Sequence, residues 1–217
     1  MAGSLEKSTL HVEGDDDKHA LIHLLTQSGV DYDTKPWPEN FPEINQIGTV
    51  EQVLEGIEVA VKTASNRSVG FVMDANSDIN LRWQEIRERL SRVDVEVPGS
   101  IPETGFHGKS TTYASTVGVW LMPDNIREGA IETFLESLIA EHDILIDHVR
   151  ASTQRAKDIG ALFRESDKTK AVIRTWLAWQ EEPGHPYGRA IRMRYFLGEP
   201  LVKTRFVQWF KQLFSIT

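Results

Sequence analysis

The 217-residue chain contains no cysteine, no long apolar segment and no excess of basic side chains. The lack of cysteine excludes disulfide bonds, thiolate metal sites and cysteine nucleophiles. No apolar run approaches the roughly 20 residues that span a bilayer, and no secretory signal is evident at the N-terminus. We therefore expect a cytoplasmic protein that has no membrane partner.

The formal net charge is −8, from 24 basic and 32 acidic residues. Proteins that bind nucleic acid by neutralising phosphates are usually basic, so this charge argues against a large non-specific nucleic-acid surface. Carboxylates gathered at a metal site are still compatible with nucleic-acid chemistry, because a bound cation reverses the local field. A metal-dependent enzyme therefore stays compatible with the composition.

Short apolar segments alternate with amphipathic segments in the first two thirds of the chain. The pattern predicts strands at 8–12, 30–41, 68–73 and 113–122, helices at 15–28, 49–64, 80–92 and 130–138, and a Pro- and Gly-rich loop at 98–112. Such alternation predicts an α/β fold: a mostly parallel, Rossmann-like sheet flanked by helices.

The last third of the chain has a helical pattern. Helices are predicted at 144–157, 169–181 and 200–214, and a loop at 183–188 separates the last two. We therefore predict an α/β domain at 1–143 and a helical C-terminal region at 144–217 that packs on it.

Acidic side chains follow three of the predicted strands: Glu13 and Asp74 directly, and Asp124 after one proline. The carboxyl ends of parallel strands meet at one edge of a sheet, which is where ligands bind in such folds. Converging carboxylates repel one another, and a hard dication relieves the repulsion. Because Mg²⁺ prefers oxygen ligands, the sequence predicts a site for Mg²⁺ (or Mn²⁺) at this edge.

The segment from Asp74 to Asp78 places three oxygen-bearing side chains at the end of one strand. Asp74, Asn76 and Asp78 alternate with small residues across the strand end and the following turn. This spacing allows Asp74 and Asp78, with Asn76, to share one cation.

These features resemble the TOPRIM domain, the catalytic module of topoisomerases, bacterial primases, OLD-type nucleases and a ribosomal-RNA maturase. The motif Glu13-Gly14-x-x-Asp17, followed by an apolar strand that ends in acidic residues, most resembles the corresponding motif of OLD-type nucleases. The segments Gly129-x-x-Glu132 and Leu177-Ala-Trp-Gln180 resemble a small stand-alone TOPRIM-related family of undetermined function. The motif-bearing resemblance covers about 13–140.

The resemblance implies catalytic and metal-binding roles for particular residues. Glu13 matches the first-motif glutamate, a metal ligand or general acid/base, and Asp74 matches the first aspartate of the DxD pattern. Asn76 stands where the pattern has its second acid, so Asp78 is the expected substitute. A first ion at Glu13, Asp74 and Asp78 would activate water or another nucleophile.

The resemblance also implies a second metal position and a basic residue. Asp17 and Glu132, with Glu136 one helical turn later, match the acids of the second position in the two-metal scheme. Lys168 or Lys170 would correspond to the basic residue that such nucleases use near the scissile phosphate. Of the two, we expect Lys170 to be the catalytic residue.

The function that the resemblance implies is Mg²⁺-dependent hydrolysis of phosphodiester bonds in DNA or RNA. OLD-type domains usually work with an ATPase domain, so a separate ATPase partner in phage defence is expected by analogy. Two alternatives stay open: a nuclease that processes structured RNA, and a catalytically silent TOPRIM-like scaffold that binds a protein partner. The sequence predicts no oligomeric state.

Overall fold

The structure, a computed structural model, describes residues 7–217 and contains a five-stranded sheet in the order β2-β1-β3-β5-β4. The strands are β1 (Thr9–Val12), β2 (Glu43–Gln46), β3 (Ser68–Asp74), β4 (Phe106–Lys109) and β5 (Thr116–Met122). Strands β2, β1, β3 and β5 pair in parallel, whereas β4 is antiparallel to β5 at the edge. The predicted α/β class with a mostly parallel sheet is confirmed.

Helices cover the sheet and follow most of the predicted segments. They are α1 (Asp15–Gln27), α2 (Val50–Thr63), α3 (Ile79–Ser91), α4 (Ile131–Ser137), α5 (Ile144–Asp158), α6 (Lys168–Ala178), α7 (Tyr187–Arg192) and α8 (Leu201–Leu213). A short 3-10 turn at Glu165–Asp167 precedes α6. Within residues 7–217, no helix has the length and apolar character needed to cross a bilayer.

The central strands β3 and β5 are buried on both faces, which is why each is a continuous apolar run. In β3, Val69, Phe71 and Met73 face the core formed with α2 and α3, whereas Val72 faces the opposite core. That opposite core contains residues of α1 and of α4–α8. The C-terminal helices therefore pack on the same face of the sheet as α1. The predicted division into 1–143 and 144–217 stays a prediction.

One of the predicted strands differs from the structure. The strand predicted at 30–41 is wrong: this segment is irregular, and β2 begins only at Glu43. Pro36, Pro38 and Pro42 each lack the N–H group that a strand donates to its neighbour. Tyr32 instead packs against Trp37, with ring centroids 5.3 Å apart, in a compact turn.

Two segments predicted as loops, 98–112 and 183–188, include regular secondary structure that the sequence pattern did not predict. The first contains β4, where a Cβ on Gly108 would lie 2.5 Å from the ring of Phe106. This glycine is therefore present because of close packing within a strand rather than because of a turn. The second leads into α7, which begins at Tyr187 and has only six residues.

We predict that Gly118→Ala destabilises the fold. Gly118 lies beside Gly70 in the register of β3 and β5, and a Cβ there would lie 2.4 Å from Cδ2 of Leu213. Because Leu213 is buried, the free energy of unfolding should fall by about 1–3 kcal/mol, as in other overpacked cores. Urea unfolding would measure the change.

Gly56→Ala is the matched control, since Gly56 lies within α2 and a Cβ there would meet nothing within 4 Å. This change should stabilise the protein by about 0.5–1 kcal/mol. In addition, Leu213→Ala should reduce the cost of Gly118→Ala when the two are combined. An equal cost in both backgrounds would contradict the proposed clash.

Candidate functional site

The candidate site lies where the carboxyl ends of β1 and β3 meet. From β1 the chain moves to β2 on one side, and from β3 it moves toward β5 on the other, so the strand order reverses between β1 and β3. Open α/β sheets bind ligands in the crevice at this reversal. Here a cavity of about 460 Å³ is lined by acidic residues, with Lys170 and Tyr187 among its other walls.

Glu13 and Asp74 are joined directly at the reversal point. The backbone N–H of Asp74 donates to Oε1 of Glu13 over 2.8 Å. The Asp74 side chain in turn accepts through Oδ1 from the backbone N–H of Ile131, the first residue of α4, over 3.0 Å. These two bonds tie the ends of β1 and β3 to the start of α4.

Asp17 and Glu132 bring two further carboxylates to the cavity. Asp17 accepts a 2.7 Å hydrogen bond through Oδ2 from the N–H of Gly14 at the start of α1. Glu132 is buried in the first turn of α4, and its Oε1 accepts from the Tyr187 hydroxyl over 3.0 Å. Nζ of Lys170 lies 3.4 Å from the same oxygen.

Each of the four carboxylates uses one oxygen for these contacts. The bonded oxygens are Oε1 of Glu13, Oδ2 of Asp17, Oδ1 of Asp74 and Oε1 of Glu132. The second oxygen of each makes no hydrogen bond within residues 7–217. The site therefore combines carboxylates that are held in place by the protein with oxygens that stay available to a ligand.

Burial and mutual repulsion perturb these carboxylates strongly. Burial, and to a lesser extent the charge of Asp17, raises the pKa of Glu13 to about 7, against the lowering effect of the bond from Asp74 N–H. Burial and then the charges of Glu13, Asp17 and Glu132 raise the pKa of Asp74 well above its usual value. Burial also raises the pKa of Asp17. Perturbation of this kind is typical of functional sites.

The donor set fits a hard divalent cation that keeps part of its water shell. Within the described part of the chain, no group of three or more His, Asp or Glu side chains is arranged to hold an ion directly. Mg²⁺ is usually bound by one or two carboxylates and several waters rather than by a complete protein cage. The unbonded oxygens of Glu13 and Asp74 would supply such ligands, with Asp17 and Glu132 beside them.

In a comparison with protein families, residues 7–215 match the family described as "Protein of unknown function (DUF3226)". The chain belongs to this family. No curated protein and no solved structure matches it.

A second cavity, of about 710 Å³, adjoins the acidic one and shares Asp74, Glu132 and Lys170 with it. Asn76 lines this second cavity and is exposed. Its φ of 56° is left-handed, and its backbone exchanges hydrogen bonds of 2.8 and 2.7 Å with Gly129. Asn76 therefore lies beside the acidic cluster without lining the cavity that holds Glu13.

Asp78 lies apart from the acidic cluster. Its exposed side chain caps α3 by accepting a 2.9 Å bond from the N–H of Leu81, and it lines neither cavity. Asp124 accepts from the N–H groups of Ile126 and Arg127 and pairs with the Arg127 side chain. The structure therefore gives both Asp78 and Asp124 local roles in a helix cap and a turn.

Of the other predicted site residues, some reach the site and others make contacts elsewhere. Lys170 reaches the site, whereas Lys168 contacts Gln154 and Glu165. Glu136 forms an ion pair with Arg150, 2.8 Å away, and lines neither cavity. The structure therefore brings Lys170, rather than Lys168, to the site, and it brings Glu132 there without Glu136.

Tyr187 is the site residue that sequence reasoning missed. Burial raises its pKa, so the hydroxyl keeps its proton and donates to Glu132. The tyrosine reaches the site because α7 packs closely on α1: a Cβ on Gly188 would lie 2.7 Å from Cβ of His19. This is a contact between distant parts of the chain, and no local sequence signal marks it.

We predict that the contribution of Glu13 to stability without divalent cations falls as the pH rises from about 4.5 to about 7. The unfolded chain releases the Glu13 proton near the lower value, whereas the folded chain retains it up to the higher one. The stabilisation is therefore complete at low pH and is lost above pH 7. For Glu13 the shift corresponds to about 3 kcal/mol of unfolding free energy.

Urea unfolding in EDTA at about pH 5 and about pH 8 tests this linkage. From the lower to the higher pH, the free energy of unfolding of the wild type should fall by about 3 kcal/mol relative to that of Glu13→Gln. Glu141→Gln changes an exposed glutamate and should behave like the wild type. An equal change with pH in the wild type and in Glu13→Gln would contradict the assignment.

Proposed function

We propose that the protein is a Mg²⁺-dependent (or Mn²⁺-dependent) nuclease of the TOPRIM type, which hydrolyses phosphodiester bonds in DNA or RNA. The observation that carries the proposal is the pair Glu13 and Asp74 on adjacent strand ends at the reversal point of the sheet. Asp17 and Glu132 beside this pair give the number of carboxylates that a two-metal site uses.

The side chains have distinct tasks in the proposed hydrolysis. Glu13 has one oxygen fixed by Asp74 N–H, so its Oε2 is the atom that would either bind the ion or accept the proton of the attacking water. Without a bound cation the pKa of Glu13 is about 7, and a divalent ion beside it would lower this pKa and so favour the ionised carboxylate. When bound, a divalent ion would lower the pKa of a coordinated water and stabilise charge on the phosphate oxygens.

Lys170 provides a positive charge at the boundary between the two cavities. Its side chain is more than half exposed while its ammonium group approaches Glu132. A lysine at this place can approach a phosphate of the substrate without leaving the site. The adjoining cavity, lined by hydroxyl groups such as Ser77, Thr133 and Thr169, has room for the nucleotide next to the scissile bond.

By resemblance to OLD-type nucleases, we further propose a cytoplasmic protein that acts with a separately encoded ATPase in defence against phage. A different observation favours the scaffold alternative: position 76 carries an amide, and no three acidic side chains hold a metal directly in the described residues. The two functions differ in cation dependence, because a silent scaffold gains no stability from Mg²⁺.

We predict that the protein cleaves nucleic acid only with Mg²⁺ or Mn²⁺ and that Glu13→Gln and Asp74→Asn abolish cleavage. Both changes keep side-chain size. The loss should be at least about 100-fold, since even outer partners of metal ligands contribute about 10- to 100-fold. The assay would use plasmid, single-stranded DNA and structured RNA in parallel.

Asp78→Asn is the matched control for these changes. Asparagine is as good a helix N-cap as aspartate, and the structure gives residue 78 a capping role, so activity should be retained. Cleavage of structured RNA alone would favour the RNA-processing alternative. Absence of both cleavage and cation-dependent stabilisation would contradict the nuclease and leave the scaffold.

We also predict that Asn76→Asp strengthens binding of Mn²⁺ several-fold. An added carboxylate beside Asp74 raises the negative charge that the ion meets, and the charge of the ligands tunes affinity at such sites. Aspartate tolerates the left-handed backbone of residue 76 about as well as asparagine. Titration calorimetry would measure the affinity, and an unchanged or weaker affinity would place residue 76 outside the metal site.

A further inference from the structure

Tyr187 and Lys170 converge on a single oxygen of Glu132. The Tyr187 hydroxyl lies 3.0 Å from Oε1, and Nζ of Lys170 lies 3.4 Å from the same atom. Oε2 of Glu132 accepts no hydrogen bond from the described residues. The carboxylate is therefore oriented, with one oxygen toward the C-terminal helices and the other available to the cavity that it lines.

Neighbouring side chains fix the position of Tyr187 itself. The guanidinium carbon of Arg174 lies 4.1 Å from the centre of the tyrosine ring, and Arg174 also forms an ion pair with Asp16 of α1. Gly188, the next residue, packs against the backbone of His19. Helices α1 and α6 thus hold the ring, which is itself 1% exposed.

We propose that Tyr187 is a positioning residue, which keeps Oε2 of Glu132 directed at the metal position. This inference rests on the proposed function for the identity of the metal site. Lys170 cannot replace the tyrosine, because its side chain is 57% exposed and flexible. Without the hydroxyl, Glu132 can rotate and offer either oxygen to Lys170, and less of it remains directed at the ion.

Tyr187→Phe removes the hydroxyl and keeps the ring. Binding of Mn²⁺, measured by titration calorimetry or by the electron paramagnetic resonance of free Mn²⁺, should weaken about 10- to 100-fold, as for other outer partners of metal ligands. Tyr195→Phe is the matched control. Tyr195 is half-buried, and its hydroxyl accepts from the N–H of Glu182. Its removal should leave the Mn²⁺ affinity unchanged.

A double-mutant cycle separates positioning from a general loss of structure. If Tyr187 acts through Glu132, Tyr187→Phe should have no further effect on Mn²⁺ affinity in a Glu132→Gln protein. An equal weakening in both backgrounds would overturn the inference, because the effect would then not pass through the carboxylate. Thermal unfolding without cations would verify that all variants are folded.

The same measurements distinguish this inference from the proposed function. Wild-type protein that binds Mn²⁺ and cleaves nothing would contradict the nuclease, whereas the expected weakening in Tyr187→Phe would still support the positioning role. Wild-type protein that cleaves nucleic acid, together with unchanged Mn²⁺ affinity in Tyr187→Phe, would overturn the positioning role alone. Wild-type protein that binds no Mn²⁺ would overturn both.

Discussion

The hydrogen bond from Asp74 N–H to Glu13 stands at the point where two neighbouring strands separate. Strand β1 pairs with β3 only as far as His11 and Phe71. Beyond that point the backbone of β1 turns toward the other side, where the carbonyl of Glu13 accepts from Gly48. The Glu13 side chain then supplies the acceptor that the backbone no longer provides. The crevice exists because the strands separate, and the glutamate lies in it because Asp74 N–H needs a partner.

This bond has an electrostatic consequence, since it holds a carboxylate beside Asp74 in a place with little water. The pKa of both groups rises through burial first and through repulsion second. Ionising Glu13 costs about 3 kcal/mol more in the folded protein than in the unfolded chain, against a total stability of roughly 5–15 kcal/mol for a typical domain. Lys170, the cation that lies nearest Glu132, is more than half exposed and offsets only part of the repulsion. A divalent ion is the natural counter-charge for such a cluster.

The sequence predicts the parts of this arrangement that depend on local pattern. The apolar runs of β3 and β5 are recognisable because both faces are buried, and Glu13 and Asp74 follow from the rule that ligands gather at strand ends. The local sequence also explains the position of Asp78: it directly precedes a helix, and aspartate is a favoured N-cap residue. In the structure the Asp78 side chain accepts from the N–H of Leu81, and its predicted role as a metal ligand stays a prediction.

The remaining features depend on contacts between distant segments. Strand β4 is short and contains Gly108, which fits against Phe106, so its composition resembles that of a loop. Tyr187 enters the site only because α7 packs on α1. Lys170 and Tyr187 both follow residue 143, so the candidate site spans the predicted boundary between the α/β domain and the helical region. The helical region therefore forms part of the site and does not merely cover the sheet.

The amide at position 76 has a structural explanation that is independent of metal binding. Asn76 adopts a left-handed conformation, which asparagine accepts more readily than most residues, and its backbone is bridged to Gly129 in both directions. The bridge joins the turn after β3 to the segment before α4. It thereby brings the first turn of α4 to Asp74, whose Oδ1 accepts from Ile131 N–H, and places Glu132 at the cavity. The backbone of Asn76 thus helps to position Glu132 at the cavity.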